Sequence, residues 1–174
     1  MPAWVVDLLN RLNSTFVVDG RWQWFVSGLG YTLLISLFSV LLGLVIGILM
    51  ALMRLSKSKI LRAVSGIYID IIRGTPTTVQ LLIMWSGILA TCKNSVLIAS
   101  LTFGINSGAY VAEIVRAGIL AVDKGQMEAA RSLGLSYAKS MQKIILPQAV
   151  RICLPSLVNQ FIITLKDSTI LYAI

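Results

Sequence analysis

Four long apolar stretches, separated by short polar segments, dominate the sequence. The first runs from Phe25 to Met53 without a charged residue, and a helix needs about 20 apolar residues to cross the core of a bilayer. The others run from about Ile60 to Leu89, from about Val96 to Ile119, and from about Ala149 to the end. The pattern predicts an all-α, polytopic membrane helix bundle with four spans.

The second stretch contains an interruption at Arg73-Gly74-Thr75-Pro76. Proline lacks a backbone donor and disfavours helix in the residue before it. We therefore expect a kinked or broken helix here. Pro155 lies near the start of the fourth stretch.

The composition agrees with the prediction of a membrane protein. Hydrophobic residues make up 57% of the chain and charged residues 13%, against roughly 25% charged in soluble domains. A net charge of +8 raises the possibility of nucleic-acid binding, but the cations cluster between apolar stretches, as membrane orientation requires. Cys92 and Cys153, in a chain without histidine, predict neither a disulfide nor a metal site.

The distribution of Lys and Arg predicts the orientation of the spans, since cytoplasmic loops carry the excess. Two segments hold most of these residues: Arg54, Lys57, Lys59 and Arg62 after the first stretch, and Lys124, Arg131, Lys139 and Lys143 after the third, with Arg116 and Arg151 at the margins. The opposite side has Arg11, Arg21 and Lys93. The N-terminus is therefore expected outside.

Residues 1–24 form a mixed segment before the first span, which we expect to insert without a signal peptide. Its tryptophans, Trp4, Trp22 and Trp24, alternate with charged residues, as is typical of an extracytoplasmic or interfacial lead-in. A contact with a partner is the alternative. Gly43-x3-Gly47 in the first span and Gly104-x3-Gly108 in the third predict close helix packing.

A polar island separates the third and fourth stretches. It reads Glu128-Ala129-Ala130-Arg131-Ser132-Leu133-Gly134, then nine residues, then Ile144-Ile145-Leu146-Pro147. Gly134 favours a left-handed helix stop, and Pro147 suits the start of a helix. The segment predicts a short helix, a sharp turn and a second helix, able to fit a groove on a partner. An amphipathic linker lying on the bilayer is the plainer alternative.

The spacing EAA-x3-G-x9-I-x-LP resembles the cytoplasmic loop by which membrane subunits of ABC importers contact their ATPases. Other segments resemble the polar amino acid uptake branch, with histidine-, glutamine- and arginine-type permeases: Arg73-Gly74-Thr75-Pro76, Asn106-Ser107-Gly108-Ala109-Tyr110 with Glu113, Lys124-Gly125-Gln126, and Leu165-Lys166-Asp167. The resemblance implies a transmembrane domain over residues 25–174, with a coupling loop at about 120–147. It implies that Glu128, Ala129, Ala130 and Gly134 dock on the ATPase.

The resemblance also implies the partners and the location. They are a second permease subunit, identical or related, a cytoplasmic ATPase dimer, an extracytoplasmic substrate-binding protein and an amino acid substrate, in the bacterial inner membrane. No G-x-x-x-x-G-K-[ST] phosphate loop occurs in the chain, so ATP hydrolysis is expected in a partner. We expect no cofactor and no enzymatic activity in this chain.

Uncharged polar residues within the last two predicted spans are candidates for the substrate pathway, because transporter sites lie near the membrane midplane. They are Asn106, Ser107, Tyr110, Asn159, Gln160 and Thr164. Hydrogen bonding between helices is the alternative role for each.

Charged residues within the spans are a further set, since ionisable groups at membrane depth face the bundle interior or a wet cavity. They are Asp70 with Arg73, Glu113 with Arg116, and Lys166 beside Asp167. The first two pairs have the i,i+3 spacing at which side chains meet on one helix face. Either they are structural ion pairs or they gate the pathway.

The resemblance implies a fifth span after the Lys-Asp-Ser-Thr region, and the sequence stops at Ile174. A fragment, a truncated product or a differently closed fold would each explain this. Two other functional classes stay open. An ion-driven secondary transporter would use Glu113 or Asp167 as its ion site, and a non-transporting scaffold would use the loop only for docking.

Overall fold

The computed structural model describes residues 2–173, without the side chains of residues 19, 172 and 173. The described part contains helices and no strands. The α-helices are α1 Ala3–Phe16, α2 Trp22–Leu55, α3 Lys59–Gly74, α4 Thr77–Ile83, α5 Ser95–Leu120, α6 Lys124–Ser132, α7 Tyr137–Ser140 and α8 Leu146–Asp167. Met84–Ile88 and Met141–Ile145 are π-helical turns, and Val18–Gly20 and Ser168–Ala173 are 3₁₀ turns. The predicted all-α fold is confirmed.

The chain divides into two compact units, Met1–Leu34 and Ile35–Ile174. In the first unit, α1 has no buried residue. Arg11 Nε donates to Asp7 Oδ2 at 3.0 Å, and the rings of Phe16 and Phe25 lie 4.9 Å apart. The predicted lead-in segment is thus helical, and its place at the membrane interface stays a prediction.

Three helical paths among the described residues are long and apolar enough to cross a membrane: Trp22–Leu55, Ser95–Leu120 and Tyr137–Leu171. The first and third apolar stretches of the sequence therefore form single helices. The fourth forms a path that begins at Tyr137 rather than near Ala149. The second stretch is divided between α3 and the shorter apolar segment Thr77–Ile88, because the chain leaves the helix between them.

The break predicted at the proline is confirmed. Thr75 (φ −112°, ψ 140°) and Pro76 (φ −61°, ψ 138°) are extended, as expected for proline and its preceding residue. Gln80 Nε2 donates to the carbonyl oxygens of Ile72 at 2.7 Å and Thr75 at 3.1 Å, and to Thr75 Oγ1 at 2.8 Å. One side chain thereby satisfies backbone groups that the break leaves without helical partners.

Helix α5 is the most buried helix of the second unit, and small residues let α2 approach it. A Cβ added at Gly43 would lie 2.9 Å from Ser107 Cβ, and one at Gly47 would lie 2.5 Å from Val111 Cγ1. Reciprocally, a Cβ at Gly104 would lie 2.7 Å from Leu42 Cδ2. The close packing predicted from the two glycine pairs is confirmed.

Helix α8 runs antiparallel to α5. Near its start, Cys153 Sγ lies 3.4 Å from the carbonyl oxygen of Ile114. Beyond its end, Ile170 and Leu171 pack against a buried cluster that includes Ile98 and Phe103 at the start of α5. Both cysteines are free, and the described residues contain no group of three metal-ligating side chains.

Candidate coupling loop and translocation pathway

The polar island folds into a capped helix with a sharp stop. At the start of α6, Asp123 Oδ1 accepts a hydrogen bond from the Gly125 amide at 2.6 Å. At its end, Gly134 has φ +82°, its amide donates to Arg131 O at 3.0 Å, and the Leu135 amide donates to Ala130 O at 3.2 Å. This 6→1 and 5→2 pattern is a Schellman motif, which requires a left-handed residue at the position of Gly134. The predicted short helix and turn are confirmed.

The second helix of the loop is continuous with the last span. Ser136 Oγ accepts a hydrogen bond from the Lys139 amide at 3.4 Å at the start of α7, and the path continues through the π turn into α8. The Leu146 amide bonds to Met141 O, five residues back. Pro147 follows in the first turn of α8, where it has no N–H to give. A wider turn before a proline is a known way to keep a helix unbroken.

The four predicted coupling residues lie on different sides of α6. Glu128, Ala129 and Gly134 are exposed, whereas Ala130 is only 1% exposed. Ala130 therefore holds α6 in place and is not available to a partner in this conformation. Leu133, which was not among the predicted coupling residues, is 84% exposed. Its exposure leaves an apolar side chain at the tip of the loop open to contact with a partner.

A small apolar cluster ties α6 to the membrane helices. Its buried members are Val122 after α5, Ile145 and Ala149 at the start of α8, with Met127 of α6 packed against them. A close-packed cluster transmits displacement rather than absorbing it. A push on α6 would therefore reach α5 and α8 together.

The candidate pathway residues of α5 are largely engaged with other helices. Asn106 Nδ2 donates to Gln80 Oε1 at 3.1 Å, and buried Ser107 lies against Gly43 of α2. The Arg73 guanidinium lies 5.2 Å from the centre of the Tyr110 ring. Asn106 thus makes a hydrogen bond between helices, which is the alternative role stated for these residues. Ser107 does not, because among the described residues its buried hydroxyl has no hydrogen-bond partner.

The candidates on α8 differ from one another. Asn159 is exposed, and Thr164 Oγ1 donates to the carbonyl oxygen of Gln160 at 3.0 Å. Gln160 is 6% exposed, yet among the described residues its side-chain amide has no hydrogen-bond partner. Cys153 lies beside Ile114, so two turns further along this antiparallel pair Gln160 reaches the level of Ser107. Gln160 is thus a largely buried residue in the middle of the helix pair whose amide group is not used by another described residue.

A cavity of about 370 Å³ lies between α3, α5 and α8. Arg73 and Glu113 both line it, together with Cys153, Ser156 and five small or apolar residues. Arg116 Nη2 lies 2.8 Å from Glu113 Oε2, so that i,i+3 pair is present. The structure thus brings two of the predicted gating residues to one cavity.

The other charged candidates do not form the ion pairs that their spacing in the sequence allows. Among the described residues, Asp70 makes no ion pair with Arg73, because the Arg73 side chain extends over the Tyr110 ring of α5. Lys166 and Asp167 likewise form no ion pair within the described part of the chain. Lys166 is exposed and Asp167 half-buried near the end of α8.

Gln80 is the site residue that sequence reasoning missed. It connects the helix break to Asn106 of α5. Its signal was available, because Gln80 is the one amide in the uncharged, mainly apolar segment 77–89. Such an amide in a membrane helix needs a polar partner.

Apolar spans, a cavity between helices that contains Arg73 and Glu113, and a capped loop whose second helix continues into the last span are features of a membrane transport subunit. The chain belongs to the family of binding-protein-dependent transport system inner membrane components, whose family model matches residues 43–174. This makes it a permease subunit of the ABC importer type.

Known proteins of similar sequence agree with this assignment. The chain is 45% identical over 160 residues to the probable amino-acid ABC transporter permease protein YckA of Bacillus subtilis (strain 168), covering 91% of this chain and 70% of that protein. It is 46% identical over 149 residues to the putative glutamine transport system permease protein GlnP of Rickettsia bellii (strain RML369-C), covering 84% and 68%.

A solved structure is similar in both fold and sequence. The crystal structure of an amino acid ABC transporter with histidines superposes with a TM-score of 0.80 at 46% identity. The match covers 86% of this chain and 71% of that one. The arrangement of helices described above is therefore that of a permease subunit.

Proposed function

We propose that this chain is a permease subunit of a bacterial inner-membrane importer for polar amino acids, driven by ATP hydrolysis in separate ATPase subunits. The observation that carries the proposal is the exposed helix α6, which is capped at both ends and followed, after the turn at Gly134, by a helical path that runs without a break into the last span. The amino acid substrate is supported by relatives named as amino-acid and glutamine permeases.

The proposed assembly contains two permease subunits, identical or related, two cytoplasmic ATPases and an extracytoplasmic binding protein. The binding protein is supported by the name of the family, and the separate ATPase by the lack of a phosphate-binding loop in the sequence. We assign Glu128, Ala129 and Gly134 to ATPase contact together with Leu133, and Ala130 to support of that surface from within.

The proposed orientation places the coupling loop in the cytoplasm and the N-terminus outside. Its support is that both basic segments lie at one end of the second unit. Leu55 and Ser56, within the first segment, line the same cavity of about 460 Å³ as Lys124 and Tyr137 of the second. Cytoplasmic ends carry the excess of positive charge.

In the proposed mechanism, closure of the ATPases displaces α6, and the cluster around Val122 and Ile145 passes the displacement to α5 and α8. These are the helices that flank the cavity containing Arg73 and Glu113. Tilting them against α3 opens the cavity alternately to the two sides. Within this cavity, Arg73, Glu113 and Ser156 offer donors and acceptors for an amino acid's carboxylate and ammonium groups.

Charge reversal on the exposed face of α6 tests the coupling role. With the ATPase and binding protein present, we expect Glu128→Lys to lower both substrate-stimulated ATP hydrolysis and uptake by about tenfold or more, because a like charge at an interface costs several kcal/mol. Gly134→Asp should act similarly, because aspartate is strained at φ +82° in the turn that ends α6 and its carboxylate would project from the tip of the loop.

Gln126→Lys is the matched control. Gln126 is exposed on the same helix, and two positions correspond to about 200° of rotation, so its side chain projects away from that of Glu128. We expect near wild-type uptake for this variant and equal membrane levels for all three. Wild-type ATP hydrolysis and uptake in both Glu128→Lys and Gly134→Asp would refute the coupling role.

A further inference from the structure

A strongly basic cleft lies at the end of the second unit that carries the coupling loop. It has a volume of about 590 Å³ and is lined by Arg54, Leu55, Ser56, Lys59, Arg62, Ala63, Arg116 and Leu120. Four of the eight lining residues are cations and none is an acid. Like charges gathered in one cleft repel one another unless an anion lies among them.

Two of the four cations are held in place by the protein. Arg54 Nη1 donates to the Arg62 carbonyl oxygen at 3.0 Å, and its guanidinium lies directly on Gly66, where any side chain would displace it. Arg116 is fixed by the Glu113 carboxylate, which neutralises only that one charge. The remaining arginine donors are therefore pre-positioned around the cleft.

The other two cations are free of protein partners. Among the described residues, the side chains of Lys59 and Arg62 make no hydrogen bond or ion pair, and both are exposed. The N-cap residue of α3, Ser58, gives no side-chain cap to the first turn, so amide N–H groups there also point outward without an acceptor. Each of these groups is of the kind that binds phosphate oxygens.

The surroundings of the cleft indicate where the anion comes from. Ile60, Val64, Ile67 and Ile71 are all exposed, and their spacing places them in one row along α3. This apolar row starts beside the cleft and leads along α3, away from the charged end. A phospholipid combines the two chemistries, with an anionic headgroup for the cleft and an acyl chain for the row.

We infer that the cleft binds the headgroup phosphate of an anionic phospholipid in the adjacent leaflet, with an acyl chain along the exposed row of α3. The leaflet is the cytoplasmic one under the orientation proposed above, where anionic lipids concentrate. Arg54 and Arg116 define the base of this lipid site, and Lys59 and Arg62 close over the phosphate. Bound lipid would anchor the α2–α3 turn beside the coupling loop.

Lipid titration of the purified transporter complex in detergent tests this assignment. Phosphatidylglycerol should raise the melting temperature in a saturable and salt-sensitive manner, whereas phosphatidylcholine should not. Lys59→Gln and Arg62→Gln should each weaken the apparent affinity about fivefold, the effect of one cation near an anionic surface. Both residues lack other partners, so these variants keep the fold intact.

Lys57→Gln is the control, because Lys57 is an exposed cation of the same turn that does not line the cleft. An equal loss of affinity in this variant, or an equal response to phosphatidylcholine, would overturn the lipid site. Inorganic phosphate is the third probe. Stabilisation by phosphate equal to that by phosphatidylglycerol would show that the cleft binds a soluble anion. No response to either probe would indicate that it binds an acidic protein surface. Both results contradict the proposal. Because lipid binding is measured without transport, its outcome is independent of the coupling test on α6.

Discussion

Gly47 lies where any side chain would collide with the neighbouring helix. A Cβ at this position would be 2.5 Å from Val111 Cγ1 and 3.0 Å from the Gly108 carbonyl oxygen. At Gly28, in the same helix α2, an added Cβ meets nothing within 4 Å. The two glycines therefore have different roles that the sequence alone does not distinguish.

We predict that Gly47→Ala destabilises the protein by about 1–3 kcal/mol, the usual cost of overpacking. The melting temperature in detergent should fall by several degrees. Gly28→Ala should leave it unchanged or raise it, since alanine is the better helix former. Equal melting temperatures for the two variants would show that α2 and α5 are not in close contact.

For single residues, the sequence predicted the role of a residue type better than the partner that a side chain contacts. The spacing of Gly43 and Gly47 was enough to predict close packing, because glycines four residues apart leave one helix face without side chains. The spacing of Asp70 and Arg73 was equally suggestive of a pair, yet Arg73 lies over Tyr110. An i,i+3 spacing brings two side chains within reach, but an aromatic ring on another helix competes for the same cation.

The break between α3 and α4 is stabilised by one amide side chain. Gln80 donates to two carbonyl oxygens and one hydroxyl on the near side of the break and accepts from Asn106 of α5. A buried polar group left without a partner costs about 1–3 kcal/mol. The geometry of this whole element therefore depends on Gln80.

We predict that Gln80→Leu lowers the melting temperature markedly, by an amount comparable with the loss of one or two buried hydrogen bonds. Asn106→Leu should cost less in the Gln80→Leu background than in the wild type, because the partner has already gone. Gln148→Leu is the control, since that side chain makes one bond to Ile144 O at the surface of α8. Strictly additive effects of Gln80→Leu and Asn106→Leu would contradict the hydrogen bond between them.

The ends of helices could be predicted from the sequence where a single residue determines them. Pro76 fixed the break, and Gly134 fixed the stop of α6 through its left-handed backbone. The start of the last helical path at Tyr137 was missed because Pro147 reads as a helix start. The π turn before Pro147 lets the helix continue through the proline. No single residue type predicts this change in the pattern of backbone hydrogen bonds.

For the molecule as a whole, the hydropathy pattern and the loop motif were sufficient to predict a membrane bundle of the permease type. They could not show that the second helix of the loop continues into the last span, or that α6 packs against both neighbouring helices through a shared apolar cluster. Those features depend on contacts between residues distant in sequence, such as Val122 with Ile145. The proposed mechanical role of the loop rests on them.

The central claim is that this chain translocates amino acids only when ATP is hydrolysed by a partner docked on α6. The most direct test is uptake of labelled glutamine, histidine or arginine by proteoliposomes containing the chain with its permease partner, ATPases and binding protein. We predict uptake that requires ATP on the side of the coupling loop and ceases when ATP or the ATPase is omitted. Uptake by the permease subunits alone, driven by an ion gradient without ATP, would contradict the account.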